Sequence, residues 1–287
     1  MAAKIFVSLN AGSAWQSPVT RPTQPISSVM LDDQVRKALL ENAHDFLDAV
    51  SREQHRGLYP YRRYYLFHGP TGTGKTCLAL AMAGHFRRNV YIICLPLNDS
   101  DLKALFALVP PGSIIVLEGV ENANSQPLEG TASLSALLDT IDSVVDGHLI
   151  IMTTRHIKLV DGALTEPNRV AISAEFGLAH KEMIAGLFRL AYDVHEAASL
   201  LAEEFAAKIP EREFTPAELM SFFALNPWSP EAAMSGVEEW MAKVRHEREM
   251  MEKASLARPK DNLGDGVKIN KLAKHTAAVL ILPTTIL

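Results

Sequence analysis

The sequence has little cysteine: its 287 residues contain two, Cys77 and Cys94. Two thiols make no disulfide framework, so the fold has to rest on a packed core. No pair of histidines or cysteines has the spacing of a zinc site. No apolar run reaches the roughly 18 residues of a transmembrane helix, since the apolar stretch Thr276 to Leu287 is short and broken by Pro283. Met1 to Ser8 lacks the apolar core of a secretory signal and is too short and arginine-poor for a transit peptide. The chain is therefore expected inside the cell, with no membrane segment. Excess positive charge is also missing. Lys and Arg total 28 against 33 Asp and Glu, a net charge of −5, which argues against a general polyanion binder. The short basic groups Arg87-Arg88 and Lys243 to Arg248 read as solvated helix faces, and no nucleic-acid partner is expected.

What is present is an ordinary globular composition, 48% hydrophobic and 21% charged. Residues 1–30, with Pro18, Pro22 and Pro25, read as an extended N-terminal segment. Asp32 opens a helix expected over Asp33 to Val50, and Gly57 to Pro60 make a turn. Short apolar strands then alternate with helices. Strands are expected at Tyr64 to Phe67, Val90 to Leu95, Ile114 to Leu117 and His148 to Thr153, with a fifth at Val170 to Ile172. Helices are expected from Lys75 to Phe86, Asp101 to Leu108 and Ser133 to Val145. Continuous apolar strands separated by helices predict a doubly wound α/β domain, residues 31–176, with a mostly parallel sheet covered on both faces. Only helices follow, one of them over Pro230 to Ala254, giving a small C-terminal helical domain over 177–255 and a loosely ordered tail over 256–287. Trp228 and Trp240 read as packing anchors of that helical domain, and His68, Cys77 and Cys94 as residues of the sheet and its flanking helix.

The sharpest signal is Gly69-Pro70-Thr71-Gly72-Thr73-Gly74-Lys75-Thr76, which fits the phosphate-loop pattern G-x-x-x-x-G-K-[ST]. A loop that meets phosphate oxygens with a row of backbone N–H groups must wrap without Cβ clashes, and Gly69, Gly72 and Gly74 permit that. The helix that follows turns its free N–H groups and positive dipole end to the anion. Lys75 can reach the β- and γ-phosphates and Thr76 can offer its hydroxyl to Mg²⁺. Average residue usage gives roughly a 1% expectation for the pattern in a chain this long, and the strand before it and helix after it lower that further. ATP with Mg²⁺ is the expected ligand.

The surrounding words resemble an AAA-type P-loop NTPase. Tyr61-Arg62-Arg63 precedes the loop and Ala83-Gly84-His85-Phe86 follows it. More narrowly they are similar to the Bcs type, membrane-anchored mitochondrial chaperones that help insert the Rieske iron–sulfur protein into respiratory complex III. Pro25-Ile26-Ser27-Ser28-Val29, Arg56 to Arg63, Met152-Thr153-Thr154 and Val237-Glu238-Glu239-Trp240 continue the likeness, which spans about residues 5 to 250. The resemblance implies an AAA module with a helical lid, a homo-oligomeric ring (hexamers are common, and the Bcs type forms heptamers), a protein client and a mitochondrial location. No membrane anchor is recognisable, and only Lys4 to Ser8 corresponds to the end of the family's middle domain.

Three positions depart from the family's catalytic pattern. The third strand should end in an adjacent acidic pair, one acid for the Mg²⁺ shell and one to polarise water, with a further acid two residues on. Here Glu118 matches the metal-side acid, Gly119 stands in place of the water-activating one, and Glu121 matches the third. In the alternative register Glu118 is the base and Leu117 takes the metal position. The family's sensor Asn is replaced by Arg155, which can pair with a γ-phosphate but has no acceptor with which to orient water. The finger motif, two arginines about Pro-Gly, reads Glu166-Pro167-Asn168-Arg169, so Arg169 remains and Glu166 reverses the other charge. The expected site thus comprises Gly69 to Thr76 for the nucleotide, Thr76 and Glu118 for Mg²⁺, and Glu118, Glu121, Arg155 and Arg169 as catalytic candidates. A nucleotide binder with weak or absent hydrolysis is the first expectation. An active ATPase that recruits Glu121 or Glu118 is the second.

Overall fold

The computed structural model describes residues 4–7, 14–15, 19–20, 24–48, 61–123, 131–143, 147–195 and 198–256. The turn expected at Gly57 to Pro60 and the tail expected after Leu256 lie outside these residues. The chain divides into two compact units, Met1–Gly177 and Leu178–Leu287.

The first unit is built on a sheet of seven described strands: β1 (Lys4–Val7), β2 (Val19–Thr20), β3 (Arg63–His68), β4 (Val90–Cys94), β5 (Ile114–Glu118), β6 (Leu149–Thr154) and β7 (Val170–Glu175). Their spatial order is β2-β1-β4-β5-β6-β3-β7. Every pairing is parallel except that of the edge strand β2 with β1. The described helices of this unit are α1 (Asp33–Leu47), α2 (Lys75–His85), α3 (Asp99–Ala107), α4 (Leu134–Ser143) and the single turn α5 (Gly162–Thr165).

Side-chain alternation along each central strand feeds two separate core layers. Tyr65, Phe67, Val90, Ile92, Val116 and Ile151 pack with Leu39 and Phe46 of α1 and Leu78 and Met82 of α2. Their strand neighbours Tyr64, Leu66, Tyr91, Ile93, Leu117 and Met152 pack with Leu102, Leu105 and Phe106 of α3 and Leu137 and Ile141 of α4. Both faces of the sheet are covered, so the central strands carry continuous apolar runs, with polar residues such as Arg63, His68, Glu118, Thr153 and Thr154 at their ends.

The segment before residue 30 contributes more than an extended entry. Ile5, Phe6 and Val7 pair with Val90, Tyr91 and Ile92 and lengthen the sheet beyond β4, and the ring of Phe6 stacks on Tyr91 at 4.4 Å. Helix α1 starts where Asp32 indicated, its carboxylate accepting from the N–H groups of Gln34 and Val35. Helix α3 starts at Asp99, two residues earlier than expected, because Asn98 is the cap and accepts from the N–H of Asp101 at 2.8 Å. Strand β7 runs on to Glu175. It is an edge strand that leaves Ala171, Ser173 and Glu175 exposed, so an apolar-run criterion finds only part of it.

The second unit comprises α6 (Lys181–Ala191), α7 (Ala198–Lys208), α8 (Pro216–Leu225) and α9 (Pro230–Leu256). Its core is aromatic. Phe188 lies 4.6 Å from Phe205 and 5.8 Å from Phe223, ring to ring. Trp240 packs on Phe214 and Phe222 at 4.8 and 4.9 Å, the anchor role expected of it. Trp228 does not share that role: it lies between α8 and α9, outside either helical repeat, and is 70% exposed. Thr215 and Glu218 form a reciprocal capping box at the start of α8. Among the described residues, no helix is long and apolar enough to cross a membrane.

Candidate functional site

Strand β3 delivers the glycine loop at the C-terminal end of the sheet, and α2 begins on the loop's last residues. Three loop glycines take positive φ: 138° at Gly69, 81° at Gly72 and 103° at Gly74. Gly69 has a second constraint, because a Cβ there would stand 2.0 Å from the carbonyl oxygen of Phe176. Gly74 caps α2 without a side chain, and the first helical bond closes from the Leu78 N–H to the Gly74 carbonyl. The preceding N–H groups therefore have no partner within the helix, which makes the helix mouth an anion site.

Lys75 is 9% exposed. Its ammonium donates to the carbonyls of Gly69 and Pro70, both at 2.6 Å, which holds it across the loop. Burial lowers its pKa to about 8, against the opposing pull of Glu121 and Glu118. The Thr73 hydroxyl braces the loop from within by donating to the Pro70 carbonyl at 2.8 Å. The hydroxyl of Thr76 donates to Oε1 of Glu118 at 2.5 Å, and the thiol of Cys94 lies 3.6 Å from Oε2. Burial, reinforced by Glu118, pushes the Cys94 thiol up to about 12, so it remains a thiol at neutral pH. Leu117 sits in the opposite core layer and is fully buried, so the register that would put it beside a metal has no geometric support.

Glu121 stands on a 3₁₀ turn, Val120–Asn122, after β5. It is 7% exposed. Its Oε1 accepts from the backbone N–H and Nε–H of Arg155 at 3.4 and 3.5 Å, and its buried Oε2 has no hydrogen-bond partner among the described residues. Gly119, between the two acids, is left-handed with φ 76° and ψ 41°. A Cβ there would meet Nδ2 of Asn122 at 2.8 Å. The structure thus brings together the loop, Thr76, Glu118, Glu121 and Arg155. Arg169 is not among them. It precedes β7 and so lies at the other end of a parallel sheet, in a two-pronged pair with Asp142 at 2.6 and 3.0 Å and over the ring of Tyr64. The partners of Arg155, Arg169 and Cys94 carry no local sequence signal, because they are 34, 27 and 24 residues away.

These groups fit a magnesium nucleotide. The glycine cradle, the uncapped helix mouth and the Lys75 ammonium suit phosphates. The paired oxygens of Thr76 and Glu118 suit a hard cation, and Glu121 adds a buried carboxylate whose charge acts on Lys75. Among the described residues there is no cluster of three or more His, Cys, Asp or Glu side chains that could hold a metal by itself.

Comparison with known proteins agrees with this geometry. The ATPase family associated with various cellular activities (AAA) matches residues 65–178. The mitochondrial chaperone BCS1-like ATPase lid domain matches residues 181–239. The chain is 32% identical over 231 residues to a probable mitochondrial chaperone bcs1 of Schizosaccharomyces pombe, covering 76% of this chain and 51% of that protein. It is 29% identical to the mitochondrial chaperone BCS1 of Bos taurus, covering 79% and 58%, and 29% identical to a probable mitochondrial chaperone BCS1-B of Dictyostelium discoideum, covering 77% and 56%. The chain spans about half the length of the curated relatives it matches. The match to the nucleotide module, followed directly by the match to this particular lid, makes the chain a member of the AAA ATPase family with a BCS1-like lid.

Proposed function

We propose that this chain binds Mg-ATP through Gly69 to Thr76 and acts as a chaperone-like AAA module that hydrolyses the nucleotide weakly or not at all. The observation that carries this reading is Gly119. The position next to the metal-side acid has no side chain, and its left-handed backbone suits glycine. Arg155 supplies donors only, so it cannot orient an attacking water as an amide does. Arg169 is held by Asp142 with Glu166 nearby in sequence, which weakens it as a finger toward a neighbouring subunit. Thr76 and Glu118 would hold the magnesium, whose chemistry is to neutralise phosphate charge. Lys75 and the helix mouth would hold and orient the phosphates. By analogy with the relatives, the chain would work as a ring on a protein client in mitochondria.

A second reading, active hydrolysis with Glu121 as base, has one observation in its favour: the buried, unpartnered Oε2 of that residue. The test is to restore the missing acid. Gly119→Asp combined with Asn122→Ala removes the 2.8 Å contact and supplies a carboxylate. We expect phosphate release to rise by at least ~10-fold, below the ~100-fold low end for a general base because some backbone strain remains. No increase in a variant that still binds ATP contradicts the first reading. Substantial release from the unmodified chain, lost on Glu121→Ala, would establish the second.

A further inference from the structure

Gly119 has no side chain, yet the space a side chain would enter is filled. The Asn122 N–H donates to the Gly119 carbonyl at 2.9 Å and closes the 3₁₀ turn Val120–Asn122. Residues three apart eclipse one another in such a turn, so Asn122 stands over Gly119. A Cβ on Gly119 would lie 2.8 Å from Nδ2 of Asn122 and 3.5 Å from the Leu95 carbonyl oxygen. The turn is tied to the phosphate loop through β6. The N–H groups of Gly119 and Gly69 donate to the successive carbonyls of Thr153 and Thr154, at 3.0 and 3.2 Å. Immediately before the turn, Glu118 accepts from Thr76 of the loop at 2.5 Å. Within the turn the polar side chains part. That of Glu121 is 5% exposed and bound to Arg155. Asn122 is exposed to solvent, and its carboxamide makes no hydrogen bond among the described residues.

We infer that Asn122 stands in for the missing acid, its carboxamide filling the side-chain space of residue 119 and holding the attacking water beside the terminal phosphate. This rests on nucleotide binding at the phosphate loop, proposed above. An amide donates and accepts at once, so it can orient a water, which Arg155, a donor only, cannot. With Nδ2 turned toward Gly119, Oδ1 is the acceptor left for that water. The water oxygen bonds to the γ-phosphorus while the bond from that phosphorus to the bridging oxygen breaks, its electron pair leaving with ADP. The amide has no basic site at neutral pH, so the water proton passes to a γ-phosphate oxygen. Orientation without a base makes cleavage slow, which is the weak hydrolysis proposed above. A carboxylate on the same atoms would supply the base.

The experiment measures single-turnover cleavage of Mg-ATP by the full chain, beside calorimetric affinity for a slowly hydrolysed ATP analogue with magnesium. It compares the unmodified protein with Asn122→Asp and Asn122→Ala. Asn122 is exposed and Asp matches Asn in shape, so the variants keep the fold. Asn122→Asp should cleave at least ~10-fold faster than the unmodified chain, because an acid then sits at this place without a strained backbone. Asn122→Ala should cleave at least ~10-fold slower, because the water loses its orientation. Affinity for the analogue should stay within about twofold in both, a split that a merely structural role would not give. Asn122→Asp cleaving no faster than Asn122→Ala, or losses of rate matched by losses of affinity, overturns the role of Asn122 while leaving nucleotide binding intact. Failure of the unmodified, folded chain to bind the analogue overturns the binding site and the role of Asn122 together.

Discussion

Lys75→Ala should reduce Mg-ATP affinity by at least ~100-fold, measured by calorimetry or by displacement of a fluorescent nucleotide. The lysine is the one cation within the glycine loop, and its ammonium is held at the mouth by two carbonyls at 2.6 Å. Without it, the oxygens of Gly69 and Pro70 lose their donor and turn negative dipole ends toward the incoming phosphates. Glu118 and Glu121 also lose a nearby cation on which both act, which adds repulsion. The fold should survive. Burial disfavours the charged amine strongly enough to bring its pKa down to about 8, so removing it relieves a desolvation cost. An unchanged melting temperature with binding lost is the expected pair of results. Unchanged affinity would place the phosphates elsewhere.

Gly69→Ala should damage both stability and binding. At φ 138° an L side chain is strained, and its Cβ would lie 2.0 Å from the Phe176 oxygen and 2.9 Å from the carbonyl carbon. No side chain can yield to relieve this contact. Phe176 is fixed by its own N–H, which donates to the His68 carbonyl at 2.7 Å, so the loop must part from the segment that follows β7. The cost should be ~3 kcal/mol or more, a fall in melting temperature on the order of 10 °C for a unit of this size. Phosphate binding should fall with it, because Gly69 sets the curvature of the cradle. A variant that melts like the unmodified chain would show that the loop can be re-formed without this glycine.

The central strands and the phosphate loop were legible because short-range physics writes them into consecutive residues. A parallel strand covered on both faces is apolar at every position, as in Ile114 to Leu117, and the loop glycines must sit at fixed spacing. The edges were less legible. Strand β7 is half polar because one side is open, and Lys4–Val7 is too short to announce which strand it joins. Asp101 looked like the start of a helix that Asn98 in fact caps. Trp228 looked like core because it is large and apolar, yet it lies on a link where no repeat turns it inward. The presence of Glu118, Gly119, Glu121 and Arg155 as candidates followed from the motif and the family likeness. Their arrangement did not, since an Arg155–Glu121 pair or a left-handed Gly119 is decided by tertiary contact. Arg169 illustrates the same limit: its sequence position suggested a finger, and its Asp142 partner is visible only in the folded chain.

The most direct test is a single turnover, with folded chain in excess over radiolabelled Mg-ATP and the bound label followed through time. The account predicts that the label stays on intact triphosphate in the protein-bound fraction, with cleavage slower than dissociation. Prompt conversion to ADP and phosphate, on the order of 1 per second as in a typical enzyme, would contradict it.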